Sequence, residues 1–296
     1  MKHWLAAFRL RTLPLALASI GMGAFLAGAS GNFKGGVFAF CALTTILLQI
    51  LSNLANDYGD AIHGADSMDR KGPSRAVQSG AITKTAMRRA IMVFVLLALI
   101  AGIGLLVSAF GWGSDFFWIF LGIGILAILA AITYTAGYRP YGYAGLGDIS
   151  VLIFFGFVAV MGSTFLFEQQ FNWDYLLPAI SIGFFSVAVL NVNNIRDIES
   201  DEKAGKISIP VRIGRVAAVR YHWFLLFAGL SLSVIYVALN YTAITQYLFI
   251  LVTPLFLVNA RAVKMKTEAA ELDPFLKQMA LSTLFFVVLF GVGQLL

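Results

Sequence analysis

Nine long apolar runs, separated by short polar links, make up most of the chain. Each run is too long for a β-strand, and its length suits the roughly 20 residues that an α-helix needs to cross a membrane. The runs extend over Pro14–Ala29, Gly36–Asn56, Ala86–Ala109, Phe116–Ala136, Gly147–Phe167, Tyr175–Asn194, Val219–Leu239, Thr245–Ala260 and Pro274–Leu295. The pattern predicts an all-α polytopic membrane helix bundle of about nine transmembrane helices, folded as one membrane-embedded domain over residues 1–296.

The composition agrees with this pattern. Hydrophobic residues make up 59% of the 296 and charged residues 12%, whereas a water-soluble domain carries about 25% charge. Such a chain cannot cover its surface with polar groups, so membrane lipids are its expected surroundings. Cys41 is the single cysteine, which excludes an internal disulfide and a metal site built from thiolates.

The basic residues predict an orientation in the membrane. With the N-terminus in the cytoplasm, every one of the 21 Lys and Arg residues except Lys34 falls on the cytoplasmic side. The positive-inside rule therefore predicts a multi-pass protein of the cell membrane, such as a bacterial inner membrane, with a cytoplasmic N-terminus. Orientation also accounts for the formal charge of +6, so no nucleic-acid partner is expected.

A first cluster of polar residues lies where the second apolar run ends. Asn53, Asn56, Asp57 and Asp60 follow the spacing i, i+3, i+4, i+7, which places them on one face of a helix. Carboxylates on one helical face repel one another, and proximity to lipid raises that cost. A bound divalent cation would offset the repulsion.

A second cluster lies where the sixth run ends. Asn194, Asp197 and Asp201 repeat the i, i+3, i+7 spacing, while Asn193 shares a face with both aspartates. The two clusters have the same predicted orientation and each precedes a basic loop, which indicates a weak internal repeat. Solvated helix ends capped by Asn and Asp are the alternative, but two equivalent clusters favour a site that holds Mg²⁺ and a diphosphate between them.

The loops after the clusters supply cations for such a diphosphate. Arg and Lys are suited to phosphate oxygens, and Arg75, Lys203 and Lys206 lie closest in sequence to the acids. The link after the fourth run is rich in tyrosine. Interfacial anchoring is the ordinary role of such residues, but Tyr134 and Tyr138 are candidates to contact a substrate or, through their ring faces, a cation.

At these residues the chain resembles the UbiA superfamily of intramembrane prenyltransferases, and the resemblance covers essentially all of it. The family pattern is approximately NDxxD with a further Asp, then DxxxD; here these are Asn56 to Asp60 with Asp66, and Asp197 to Asp201. The later position of Asp66 is similar to the branch that prenylates 1,4-dihydroxy-2-naphthoate in menaquinone biosynthesis. The strings NLANDYGD, KGPSR, NVNNIRDIESDEKAGK and PVRIG are similar to that branch too.

The resemblance implies an enzyme and assigns roles to the clusters. The expected reaction is Mg²⁺-dependent transfer of a polyprenyl chain from a prenyl diphosphate to 1,4-dihydroxy-2-naphthoate, with loss of CO₂, to give demethylmenaquinone. The expected metal ligands are Asp57, Asp60, Asp66, Asp197 and Asp201. All of these except Asp66 are also the expected catalytic residues, and the four asparagines named above are expected to contact substrate.

Two alternatives remain open from the sequence. Another aromatic acid, such as 4-hydroxybenzoate, would suit the general motifs, although the spacing to Asp66 and the KGPSR loop fit it less well. A membrane transporter would also contain acids within helices and a repeat. Transporters more often place such acids near the middle of the membrane, whereas these acids lie at helix ends beside basic loops.

Overall fold

Nine helices long and apolar enough to cross a membrane make up most of the computed structural model, which describes residues 2–64 and 75–296. No β-strand occurs in those ranges. The helices are α1 (Lys2–Ala29), α2 (Gly35–His63), α3 (Lys84–Phe110), α4 (Asp115–Thr133), α5 (Gly147–Glu168), α6 (Trp173–Arg196), α7 (Ile209–Leu239), α8 (Ile244–Met265) and α9 (Ala269–Leu295). The predicted all-α architecture is confirmed.

The helices form two groups that share α1. On one side α2 packs on α3, and α4 packs on both; on the other side α5, α7 and α9 pack around α6. A core of large side chains fixes the second group, and Phe185, Phe249, Phe256, Phe286 and Phe290 are almost completely buried in it. Helix α1 contacts α2, α5 and α9 and so joins the two groups.

Several helices depart from the predicted boundaries or from regular geometry. Helix α2 continues to His63, beyond the predicted end at Asn56. Helix α7 begins at Ile209 rather than Val219, and Gly214 interrupts it with φ 76°, a conformation that favours glycine. Hydropathy missed this first segment of α7 because it carries Arg212 and Arg215. Helix α5 is π-helical over Leu152–Gly162.

Candidate active site

The first acidic cluster is ordered by the loop that follows α2. Asp57 accepts hydrogen bonds from the backbone N–H groups of Ala76 and Val77, at 3.2 and 3.3 Å. Arg75 places Nη1 2.8 Å from Asp60 Oδ2 and also donates to the carbonyl of Asn56. Both carboxylates are almost fully buried, so each is held by a charge or by hydrogen bonds, as burial requires.

A close approach of two backbones presses this cluster against the link after α4. A Cβ atom at Gly59 would lie 2.5 Å from the carbonyl carbon of Thr135, so only glycine permits the contact. Thr135 donates to Asn56 Oδ1 at 3.0 Å, and Tyr143 donates to Asp60 Oδ1 at 2.9 Å. The tyrosine-rich link therefore forms one wall of the site.

The second cluster crosses a helix boundary instead of following one continuous helix. Helix α6 ends at Arg196, Asp197 stands at the junction, and a short helix covers Ile198–Lys203. Asp201 is buried and pairs with Lys206 at 3.2 Å, and the Asn194 side chain is buried with no hydrogen-bond partner for its Oδ1 atom. The carboxylates and this amide oxygen are the candidate ligands that the second cluster offers.

The two clusters occupy one electrostatic environment. Burial raises the pKa of Asp201 to about 6; Lys206 opposes the rise, and the carboxylates of Asp197 and Asp60 add to it. Burial also raises the pKa of Tyr134, and the carboxylates of Asp148, Asp60 and Asp201 add to that rise. Tyr143 links the two clusters by contact, because its hydroxyl donates to Asp60 and its carbonyl accepts from the N–H of Ile207, next to the Lys206 that pairs with Asp201.

An ion-pair network behind Asp197 was not foreseen from the sequence. Arg196 donates two hydrogen bonds to Asp197, at 2.8 and 2.7 Å, and one to Asp273 at 2.5 Å. Asp273 also accepts from Arg11 at 2.9 Å, so it connects α1, α6 and α9. The sequence offered one signal for this network. Asp273 is a carboxylate that directly precedes Pro274, the residue at which the ninth apolar run begins.

An apolar cavity of about 920 Å³ opens beside the acids. Asn53, Asn56 and Tyr134 line the end near the clusters, and Phe116 and Phe165 line it toward the other end of the bundle. Helices α2, α4 and α5 supply most of the wall, and its side chains are predominantly apolar. A long hydrocarbon chain would find space here with its polar head at the acids.

The remaining predicted site residues differ in their placement. Asn193 accepts a hydrogen bond from Arg196, and the Lys203 side chain is exposed. Asn53 donates to the carbonyl of Phe8 and to Thr12, so its amide nitrogen ties α2 to α1. Tyr138 lies away from the cavity with 92% of its surface exposed and packs on Arg139, so its predicted contact with substrate lacks structural support. Asp66 lies outside the described residues.

The donor set suits a hard cation such as Mg²⁺. Carboxylate and amide oxygens are the ligands that this ion prefers, and the unpartnered Oδ1 of Asn194 is an oxygen of this kind. Over residues 2–64 and 75–296, no three carboxylate, His or Cys side chains are close enough to hold an ion by themselves. The carboxylate and amide oxygens of the two clusters fit a hard cation of this kind.

The structure is that of an all-helical membrane protein in which a pocket of acidic and basic side chains adjoins an apolar cavity. The chain belongs to the UbiA prenyltransferase family, whose sequence profile matches residues 16–289. It is therefore a prenyltransferase rather than a transporter.

Named relatives and a solved structure agree with this assignment. The chain is 44% identical to 1,4-dihydroxy-2-naphthoate octaprenyltransferase of Haemophilus influenzae, covering 100% of this chain and 96% of that one. It is also 44% identical to the Escherichia coli enzyme of the same name, over 98% and 94%. A UbiA homologue from Archaeoglobus fulgidus bound to GPP and Mg²⁺ has the same fold, with TM-score 0.66, 16% identity and 99% coverage of both chains.

Proposed function

We propose that this protein transfers a polyprenyl chain from a prenyl diphosphate to 1,4-dihydroxy-2-naphthoate, with Mg²⁺ as cofactor. The allylic C–O bond breaks, the diphosphate leaves with the bonding electrons, and the ring forms a C–C bond to the prenyl carbon. The carboxyl group leaves as CO₂, its C–C bonding electrons return to the ring, and the product is demethylmenaquinol, which a separate two-electron oxidation converts to demethylmenaquinone. The observation that supports the proposal is that Tyr143 links the two acidic clusters, through Asp60 and the segment at Lys206, beside an apolar cavity lined by Asn53 and Asn56 of the first cluster.

The acids and cations of the site are matched to a diphosphate. Asp57, Asp60, Asp197 and Asp201 would hold Mg²⁺ together with the amide oxygen of Asn194. When bound, Mg²⁺ supplies positive charge that neutralises the leaving diphosphate, an effect of several kcal/mol on such reactions. Arg75 and Lys206 would bind the remaining phosphate oxygens, as Arg and Lys side chains commonly do.

The walls of the cavity have a separate task, which is to keep water from the allylic carbon. An allylic cation reacts readily with water, and exclusion of water from an active site suppresses such side reactions. The half-buried Tyr134 lies at the boundary between the acids and the cavity. Its ring would face the developing cation or the acceptor, and ring faces attract cations.

The acceptor is tested by competition between two aromatic acids. Purified protein in lipid nanodiscs receives octaprenyl diphosphate and equal amounts of 1,4-dihydroxy-2-naphthoate and 4-hydroxybenzoate, with Mg²⁺ or with EDTA. We expect a decarboxylated naphthoquinol product by mass spectrometry, formed only with Mg²⁺. Transfer to 4-hydroxybenzoate with the naphthoate left unused would overturn the acceptor assignment.

We further propose that the site faces the cytoplasm and that residues 1–296 act as one functional unit in the cell membrane. Cys41 is buried, so a cysteine placed elsewhere gives a clean labelling signal. In a Cys41→Ala background, Ser79→Cys marks the end with the acids and Lys34→Cys marks the opposite end; both positions are exposed. In intact cells, a membrane-impermeant maleimide should label Lys34→Cys and spare Ser79→Cys. The reverse labelling would contradict the orientation.

A further inference from the structure

The cavity wall that α2 supplies is polar, although α2 is one of the membrane-spanning helices. The α2 residues that line the cavity share one helical face, and those with polar side chains are Thr44, Thr45, Gln49, Ser52, Asn53 and Asn56. Every lining residue that α3 and α4 contribute is apolar. The cavity therefore has one polar wall, and its other walls are mostly apolar.

The prenyl tail does not account for this polar wall. A tail of this kind is a hydrocarbon, so it neither donates nor accepts hydrogen bonds, and polar groups without partners are costly in a membrane interior. The apolar side chains of α3 and α4 suit the tail instead. The polar face of α2 suits a second molecule that has oxygen atoms of its own.

Gln49 and Ser52 lie close enough to the acids to contact the second substrate. They share a helical face with Asn56 and precede it by seven and four positions, which is about 10 and 6 Å along a helix. The prenyl carbon that the acceptor attacks is bonded directly to a diphosphate oxygen, so the acceptor ring must lie beside the acids. We therefore expect the ring within the two turns of α2 that precede Asn56.

The side chain of Gln49 has hydrogen-bonding capacity for a ligand. A carboxamide has two N–H donors and a carbonyl acceptor. In the part of the chain that the structure describes, this amide makes one hydrogen bond, in which it donates to Asn53 Oδ1 at 3.4 Å. Its second N–H and its carbonyl oxygen are therefore available to a carboxylate or a hydroxyl group.

We propose that Gln49 and Ser52 bind the oxygen substituents of the aromatic acceptor, whereas the apolar walls hold the prenyl tail. This inference rests on the proposed function, because it concerns the second substrate of the same reaction. Both 1,4-dihydroxy-2-naphthoate and 4-hydroxybenzoate are hydroxylated aromatic acids, so these two side chains would bind either. Gln49 and Ser52 thus determine affinity for the acceptor and take no part in breaking the C–O bond of the donor.

Loss of these groups should affect one substrate and spare the other. Gln49→Leu removes the amide at similar size, so KM for the acceptor should rise about tenfold, and Ser52→Ala should raise it about threefold. Gln49→Glu places a negative charge beside an anionic acceptor and should weaken its binding more than Gln49→Leu does. KM for the donor should stay within about threefold of wild type in all three variants.

Ser19→Ala is the matched control for Ser52→Ala. Ser19 lines the same cavity from α1, but its hydroxyl already donates to the carbonyl of Leu15 at 3.3 Å. The control removes the same atom from the cavity wall without removing a group that is available to the acceptor. KM for the acceptor should therefore equal that of wild type.

The experiment compares wild type and these four variants in nanodiscs, after size-exclusion chromatography has verified folding. KM and kcat are measured for each substrate with the other saturating, with octaprenyl diphosphate as the donor. Binding of 1,4-dihydroxy-2-naphthoate and of 4-hydroxybenzoate is measured in parallel by calorimetry, with Mg²⁺ and a non-hydrolysable farnesyl diphosphate analogue present.

A rise in KM confined to the acceptor, in Gln49→Leu and Ser52→Ala but not in Ser19→Ala, would support the proposal. Acceptor affinity equal to that of wild type in these variants would overturn it, and so would equal losses for donor and acceptor, which indicate a structural role. Either position decides the matter if variants at the other fail to fold.

Failure of the proposed function gives a different result. If wild type binds the aromatic acids but transfers no prenyl chain to them, the proposed reaction is wrong, and the binding of the acids to the variants still decides the role of Gln49 and Ser52. If neither acid binds to wild type, both proposals are overturned.

Discussion

Arg75 and Asp60 form an ion pair of 2.8 Å between the loop after α2 and the end of that helix. Their side chains are only 10% and 5% exposed. Buried charges of this kind depend on each other, because removal of one leaves the other uncompensated. The pair joins a cation suited to phosphate to a carboxylate suited to Mg²⁺, and each group neutralises the charge of the other.

Substitution of Arg75 should weaken binding of the prenyl diphosphate. Arg75→Ala removes a cation from the phosphate site, and we expect KM for the donor to rise about tenfold or more, since a charge-assisted hydrogen bond is worth about 1.5–3 kcal/mol. Arg75→Lys keeps the charge and should recover part of the loss. Steady-state kinetics with the acceptor saturating provide the measurement. A KM equal to that of wild type in a folded Arg75→Ala protein would contradict this role.

The four aspartates of the described site should each be needed for turnover. Alanine at Asp57, Asp60, Asp197 or Asp201 removes a candidate metal ligand, and we expect kcat to fall by about 10³-fold or more, as loss of a key electrostatic group commonly does. Membrane insertion should persist in all four variants. Asp115, an exposed acid at the start of α4, is the matched control. Wild-type rates in any two of the four variants would break the metal assignment.

Asp273 should act on catalysis through Arg196 and Asp197. Asp273→Asn weakens the ion pair with the Arg196 guanidinium, so Arg196 should orient Asp197 less well. More Mg²⁺ should then be needed for half-maximal activity. Asp273→Glu should restore part of the effect. Glu271→Gln is the control, because Glu271 is exposed on the same helix and pairs with Lys266. An unchanged Mg²⁺ requirement in Asp273→Asn would leave Asp273 with a purely structural role.

Asn53 should matter more for stability than for substrate binding. Its amide nitrogen donates to Phe8 and Thr12, so Asn53→Ala removes two hydrogen bonds between α1 and α2, worth about 0.5–1.5 kcal/mol each. We expect a lower thermal unfolding midpoint in detergent, with KM for the donor changed less than about threefold. A large rise in KM for the donor at unchanged thermal stability would instead support the direct contact with substrate that the sequence predicts for Asn53.

The sequence predicted the site best where all the residues of a cluster lie on one continuous helix. The spacing of Asn53, Asn56, Asp57 and Asp60 predicted a single face, and α2 does continue as a helix through Asp60. It was less informative where the chain departs from regular helix, as at Asp197, or where a partner is distant in sequence, as Asp273 is from Arg196. Hydropathy likewise identifies Phe116 and Phe165 as apolar without indicating which of the 26 phenylalanines face a cavity.

Both acidic clusters are expected to bind one Mg²⁺–diphosphate group together. A double-mutant cycle on Asp60→Asn and Asp201→Asn tests this shared binding, with affinity for a non-hydrolysable farnesyl diphosphate analogue measured by calorimetry at fixed Mg²⁺. We predict strong coupling: the double variant should bind little more weakly than the weaker single variant, because either loss disrupts the same group. Losses that simply add, within about 0.5 kcal/mol, would mean that the clusters act independently and would contradict the claim.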